Sequence, residues 1–239
     1  MITKIVTKHL TVTIFVTIIS PSTILYKGEK IMEENKNLKL ARQARAENNS
    51  EDAKLFYGKV REEDPESGEA KFFYAYYSLY EGTNGELPKR FSNLCNVLTT
   101  SIRMVKESGA EKAEQLKIIE EIVKCFVPET WAENRYMNNK NTGRQVPLFS
   151  AGAITSVCKE GMNALKALGD QVSELYVADP ECTRIAVIAW KEYVSLAQKW
   201  YSYATKGEPE SYAEKIKKVD PSYEMPKKAG CISLANKKE

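Results

Sequence analysis

Histidine is almost missing from this sequence: the one copy in 239 residues is His9. Beyond the first thirty-one residues the chain therefore lacks the side chain that most readily moves protons at neutral pH and most often binds metals. Cys–His dyads, Ser–His–Asp triads and His-based zinc sites are excluded there. The five cysteines, Cys95, Cys125, Cys158, Cys182 and Cys231, are odd in number and nowhere form a Cys-x-x-Cys pair. That argues against a zinc ribbon and against a thioredoxin-like site. Four of them fall inside helical patterns, where a free thiol behaves as a small apolar residue and suits a reducing compartment. Charge of one sign is also scarce. A formal +3 is too little for a nucleic-acid surface, which needs clustered Lys and Arg.

What is present is an ordinary soluble composition, 43% hydrophobic and 28% charged, with 13 Tyr and 7 Phe to supply burial. The length allows one large or two small domains. The apolar residues recur at every third or fourth position, and no strand pattern appears anywhere. The expected fold class is all-α.

Residues 1–31 carry two readings. Lys4 and Lys8 precede the apolar stretch Leu10 to Ile19, broken by Ser20 and Pro21, in the manner of a weak export signal. The stretch is too short to span a bilayer as a helix. Alternatively, Lys27-Gly28-Glu29-Lys30-Ile31 reads back to a purine-rich ribosome-binding sequence just upstream of Met32, and Met32-Glu33-Glu34-Asn35-Lys36 opens a helix. The preferred expectation is translation from Met32 and a cytoplasmic protein. Dropping four Lys and one Glu takes the formal charge from +3 to zero. A genuine signal would make the chain secreted or membrane-anchored through residues 1–20, with a mature end near residue 21.

From Leu38 onward the spacing predicts a helical hairpin. Leu40, Ala41 and Ala44 form one stripe; Ala53, Phe56, Tyr57 and Val60 form the next. Glu47-Asn48-Asn49-Ser50 turns the chain, with Asn49 or Ser50 as the cap of the second helix, and Asp64-Pro65 stops it. This segment resembles the tetratricopeptide repeat family, whose unit is a helix–turn–helix of about 34 residues. Leu40-Ala41, Ala53, Tyr57 and Pro65 stand at the family's offsets, with Ala44 in place of its first-helix aromatic and Val60 in place of its late alanine. A following helix, Glu69 to Glu81, places Tyr74-Ala75 at the next large–small pair. The register then fails at Leu87 and Pro88, so the resemblance covers about residues 34–81. A fainter likeness extends to bacterial proteins that carry such a hairpin beside a zinc ribbon, which this chain lacks.

The remaining pattern gives helices from Pro88 to Ser108, ending at Gly109, and from Ala110 to Val127, with Pro128 restarting a short helix through Trp131 and Tyr136. Met137 to Gln145 lacks periodicity and marks the expected boundary between a tetratricopeptide-like region, 32–138, and a long hairpin, 146–219. In that hairpin Ile154, Cys158, Gly161, Leu165, Leu168, Val172 and Leu175 make one seam, which Gly169-Asp170 could kink or split. Asp179-Pro180 starts the return helix with Ala186, Trp190, Tyr193, Ala197, Trp200 and Ala204 on the other. A short helix from Pro209 to Val219 packs on this pair, and 220–239 is expected to be a disordered, Lys-rich tail.

No catalytic constellation, cofactor box or metal site is expected. Glu111, Glu114, Glu120 and Glu121 read as exposed helix-face acids, since a di-metal bundle would need Glu-x-x-His partners. Arg135, Tyr136, Lys140 and Arg144 read as a solvated loop rather than a nucleic-acid patch. The Trp190–Trp200 seam is core, or else a homo-oligomer surface. The resemblance implies a non-enzymatic scaffold that binds a protein or peptide, with a concave groove lined by the first helix of each pair. Its contact positions carry over to Leu38, Arg42 and Arg45, then Phe72 and Tyr76. Two arginines beside two aromatics would suit an acidic segment. The competing reading makes Arg42 and Arg45 partners of Glu47 or Glu34, and Phe72 and Tyr76 core.

Overall fold

A computed structural model describes residues 35–79, 81, 86–131, 151–200 and 204–228, without the side chains of 151–155. Among the described residues there are eight helices and no strand. They are α1 (Lys36–Ala46), α2 (Ser50–Glu63), α3 (Gly68–Ser78), α4 (Leu87–Glu107), α5 (Lys112–Glu129), α6 (Ala151–Ser173), α7 (Pro180–Lys199) and α8 (Glu208–Val219). The expected all-α class is what the chain adopts.

Local chemistry sets most helix ends. The Asn35 side chain caps α1 by accepting from the backbone N–H of Asn37 at 2.8 Å and of Leu38 at 3.1 Å. Asn49 caps α2, Ser67 caps α3, and Asp179 caps α7 with Pro180 at its first position. Gly109, at φ +75°, follows the end of α4 where an L residue would be strained. Because Asn35 also ties α1 to Glu63 through a side-chain hydrogen bond at 2.9 Å, Asn35→Ala is expected to cost about 1 kcal/mol, read as a lower urea midpoint with an unchanged slope.

Each short turn folds a helix back on its neighbour: α1 on α2, α2 on α3, α3 on α4 and α6 on α7. Of the first stripe, Ala41 and Ala44 are buried; of the second, Ala53, Tyr57 and Val60. The aromatic run of α3 is central. Phe72 and Phe73 are fully buried, and Tyr57 stacks on Phe73 with centroids 5.2 Å apart. At Gly68, α3 meets α4 so closely that an added Cβ would stand 2.4 Å from the Ser101 carbonyl oxygen.

The two halves expected from the sequence pack as one. Helix α4 lies on α6, and α5 on α7. Ser92 Oγ donates to Glu160 at 2.6 Å and Gln171 Nε2 donates to the Thr99 carbonyl at 2.9 Å. The Cys158–Leu175 seam and the Ala186–Ala197 seam are buried against each other as expected. The Ile154 side chain is not described, and the loop 137–145, with Arg135, Tyr136, Lys140 and Arg144, lies outside the described residues, as do 1–34.

Three expectations are corrected. Pro128 does not restart a helix; it sits in the last turn of α5, where only one backbone hydrogen bond is forfeited before the helix ends. Gly169-Asp170 does not break α6, which runs through it because Gly169 makes room for the Trp190 indole: an added Cβ would stand 2.4 Å from it. Residues 220–228 are not a free tail. Asp220 pairs with Lys191 at 2.8 Å, and Tyr223 and Met225 pack against the core.

Candidate functional site

The most developed polar cluster among the described residues lies between α1, α3 and α5. Arg42 and Arg45 are three residues apart on α1, hence on one face of it. Glu69 stands in the first turn of α3, where the positive helix end favours a carboxylate. It is nonetheless only 3% exposed. Burial at that level demands partners, and Glu69 has them. Arg42 Nε donates to both its oxygens at 3.1 Å and Arg42 Nη2 donates at 2.7 Å. The Tyr57 hydroxyl donates at 3.0 Å, and Arg45 Nη1 stands 3.7 Å away.

The same arginines reach on to α5. Arg42 Nη1 pairs with Glu114 at 3.1 Å, and Arg45 Nη2 pairs with Glu121. The Arg45 guanidinium also lies over the Phe73 ring, 4.1 Å from its centroid, a cation–π contact in a partly dry setting. Its Nη1 is buried with no hydrogen-bond partner. Two cations thus face three carboxylates, one buried and two at the rim.

The electrostatics are those of a static charge lattice. Burial works against the Arg42 charge, but Glu69 and Glu114 more than offset it, and its pKa ends above the ordinary value. Burial, with the Glu69 carboxylate nearby, pushes the Tyr57 hydroxyl well above the usual phenol range, so it stays a donor. Burial likewise raises the Cys125 thiol, with Arg45 only partly opposing it. A thiol so held is mostly protonated at neutral pH and a poor nucleophile. What the cluster does in this arrangement is hold carboxylates.

The five groove positions divide. Arg42 and Arg45 come together, though in ion pairs with Glu69, Glu114 and Glu121 rather than with Glu47. Leu38 and Tyr76 are half-buried against the core. Phe72 is fully buried, stacked on Tyr76 and edge-on to Phe73, which is the core reading of that residue. Glu114 is exposed as expected, but Glu120 and Glu121 are half-buried partners of Arg184 and Arg45. Glu69 was missed altogether. A lone acid in a first helical turn gives no sign that it will be covered.

A second cluster joins α6, α7 and α8. Asp170 accepts from Trp190 Nε1 and Lys215 Nζ, each at 3.2 Å, and from the Tyr212 hydroxyl. Glu208 accepts from Tyr193 and Lys166, both at 2.8 Å. This cluster buries Trp190 and Tyr193, which makes that part of the tryptophan seam interior rather than a dimer surface. The hydrogen bond from Lys166 leads the effects that hold Glu208 below its ordinary 4.5. A depressed folded value means stability that is complete above 4.5 and lost as pH falls through the lowered value. Glu208→Gln is therefore expected to lower the melting temperature at pH near 7 and to leave it unchanged well below the carboxylate range. Melting curves across pH read this directly.

Among the described residues no group of three or more His, Cys, Asp or Glu is placed to hold a metal ion, and no helix is long and apolar enough to cross a membrane. No family model, curated protein or solved structure matches the chain.

Proposed function

We propose that this chain is a non-enzymatic, tetratricopeptide-like helical module that binds a protein partner in the cytoplasm. Of the positions that carry the family resemblance, Ala41, Ala53, Tyr57 and Ala75 take interior places in α1, α2 and α3, while Leu40 and Tyr74 are half-buried and Pro65 is exposed. The polar residues that the same resemblance assigns to recognition, Arg42 and Arg45, share one face of α1 and are bound to carboxylates. The single observation that carries the reading is that arginine face, because a forked guanidinium pair selects carboxylates.

The test is affinity capture of the tagged chain from its native cell, quantified by mass spectrometry. One partner at near-equimolar yield is expected for the natural sequence. Arg42→Lys with Arg45→Lys keeps both charges but removes the forks, and is expected to cut recovery at least fivefold while far-ultraviolet circular dichroism keeps its helical form. Equal recovery from both proteins, or no partner at stoichiometric yield, rejects the proposal.

A further inference from the structure

The arginine face already holds a ligand of its own. Helix α5 presents Glu114 and Glu121 seven residues apart, two helical turns or about 10.5 Å along its axis. Glu114 pairs with Arg42 and Glu121 with Arg45, so two arginines three residues apart on α1 reach carboxylates two turns apart on α5. Glu69 is a permanent part of the site, being buried and held by three donor groups. The two α5 carboxylates are different in kind. Glu114 is 49% exposed and Glu121 34%, so each is half in water and cheap to release.

Charge gives the direction of exchange. With both α5 acids in place the cluster of Arg42, Arg45, Glu69, Glu114 and Glu121 sums to −1. Without them it sums to +1 around the same two guanidinium groups. The Arg45 Nη1 group is buried and makes no hydrogen bond, its nearest carboxylate being Glu69 at 3.7 Å.

We propose that this face recognises an acidic helix with carboxylates one heptad apart, and that α5 is its resident occupant, holding the site shut until a stronger acidic helix displaces Glu114 and Glu121. This rests on the reading of the chain as a binding module and names the chemistry of what it binds. The occupant is a helix because α5, the one ligand seen on the face, meets it with helical spacing.

The probe is a fluorescein-labelled, alanine-based helical peptide with two glutamates seven residues apart, with a diglutamine version as control. Binding is read by fluorescence anisotropy for the natural sequence, for Glu114→Gln with Glu121→Gln, and for Glu51→Gln with Glu62→Gln. The last pair alters net charge equally on the exposed face of α2. The α5 variant is expected to bind the acidic peptide at least tenfold more tightly than either other protein, and to lose that gain between about 0.05 M and about 0.5 M salt. Equal affinity in all three proteins, or equal binding of the diglutamine peptide, overturns the proposal. So does a variant that dimerises in sedimentation instead of binding peptide, since the occupant would then be a second copy. If the double variant does not fold, Glu114→Gln alone, whose partner Arg42 keeps Glu69, carries the same comparison with at least a threefold gain expected. A gain in peptide affinity without any cellular partner would reject the cytoplasmic binding role while leaving the face intact; capture of a partner without that gain would reject the resident-occupant idea alone.

Discussion

Glu69→Ala is expected to destabilise the fold by about 3–5 kcal/mol, the largest loss from any single charge. The magnitude follows from what the carboxylate leaves behind. Arg42 loses both parallel donors' acceptor, Arg45 loses the buried one of its two anions, and the fully buried Tyr57 hydroxyl loses its acceptor. Deleting one partner of a buried pair leaves the others uncompensated, which costs far more than the pair contributes when intact. A domain of ordinary stability has only about 5–15 kcal/mol to lose. Glu114→Gln removes one arm of the same lattice, but at a half-exposed rim, and should cost less than about 1 kcal/mol. Urea unfolding of the two variants tests the contrast. Similar losses for both would mean that Glu69 is not the anchor described above.

Gly68→Ala is the second large effect, and it is a matter of space alone. The new methyl carbon would lie 2.4 Å from the Ser101 carbonyl oxygen and 2.8 Å from both the Met104 Cβ and the Val105 backbone nitrogen. Most of that wall is main chain of α4, so no rotamer change relieves it and the α3–α4 crossing must open. Overpacking of this kind costs about 1–3 kcal/mol or more, and an opened crossing would also loosen Phe72 and Leu98, both fully buried. Gly58→Ala is the matched control. There the methyl meets only the edge of the Tyr74 ring at 3.3 Å, a half-buried side chain that needs to give by a few tenths of an ångström and not a main-chain wall. Replacing a helical glycine by alanine relieves about 0.5–1 kcal/mol of backbone entropy, so this variant should be neutral or slightly more stable. Thermal melts of both proteins, with opposite signs expected, separate packing from helix propensity.

The helices were legible because their cause is local. A stripe such as Ala53, Tyr57 and Val60, or Leu165, Leu168 and Val172, declares its period within a dozen residues, and caps such as Asn49 and Asp179 act on backbone groups two or three places away. The exceptions have equally concrete causes. Pro128 reads as a breaker unless the helix is already ending. Gly169 reads as a kink unless an indole from another helix needs its surface.

The candidate site was half legible. Arg42 and Arg45 could be placed on one helix face from their spacing, and Phe72 could be read either as ligand contact or as core. The choice between those readings belongs to the helices packed around α3, which are α2, α4 and α5, and nothing near Phe72 in the chain records that. Glu69, Glu114 and Glu121 lie 24 or more residues from Arg45, and each looks like an ordinary surface acid in its own helix. Their pairing exists only once α1, α3 and α5 meet.

The sequence by itself therefore determined that this polypeptide is helical, where most of its helices begin and end, and which side of each is apolar, because those follow from periodicity and capping over short distances. Tertiary structure alone decided that the two halves form one body, that Phe72 is interior, and that two arginines are spent on three acids from other helices. Burial and charge pairing are set by which surfaces come together, and that is a property of the packed chain rather than of any segment in it.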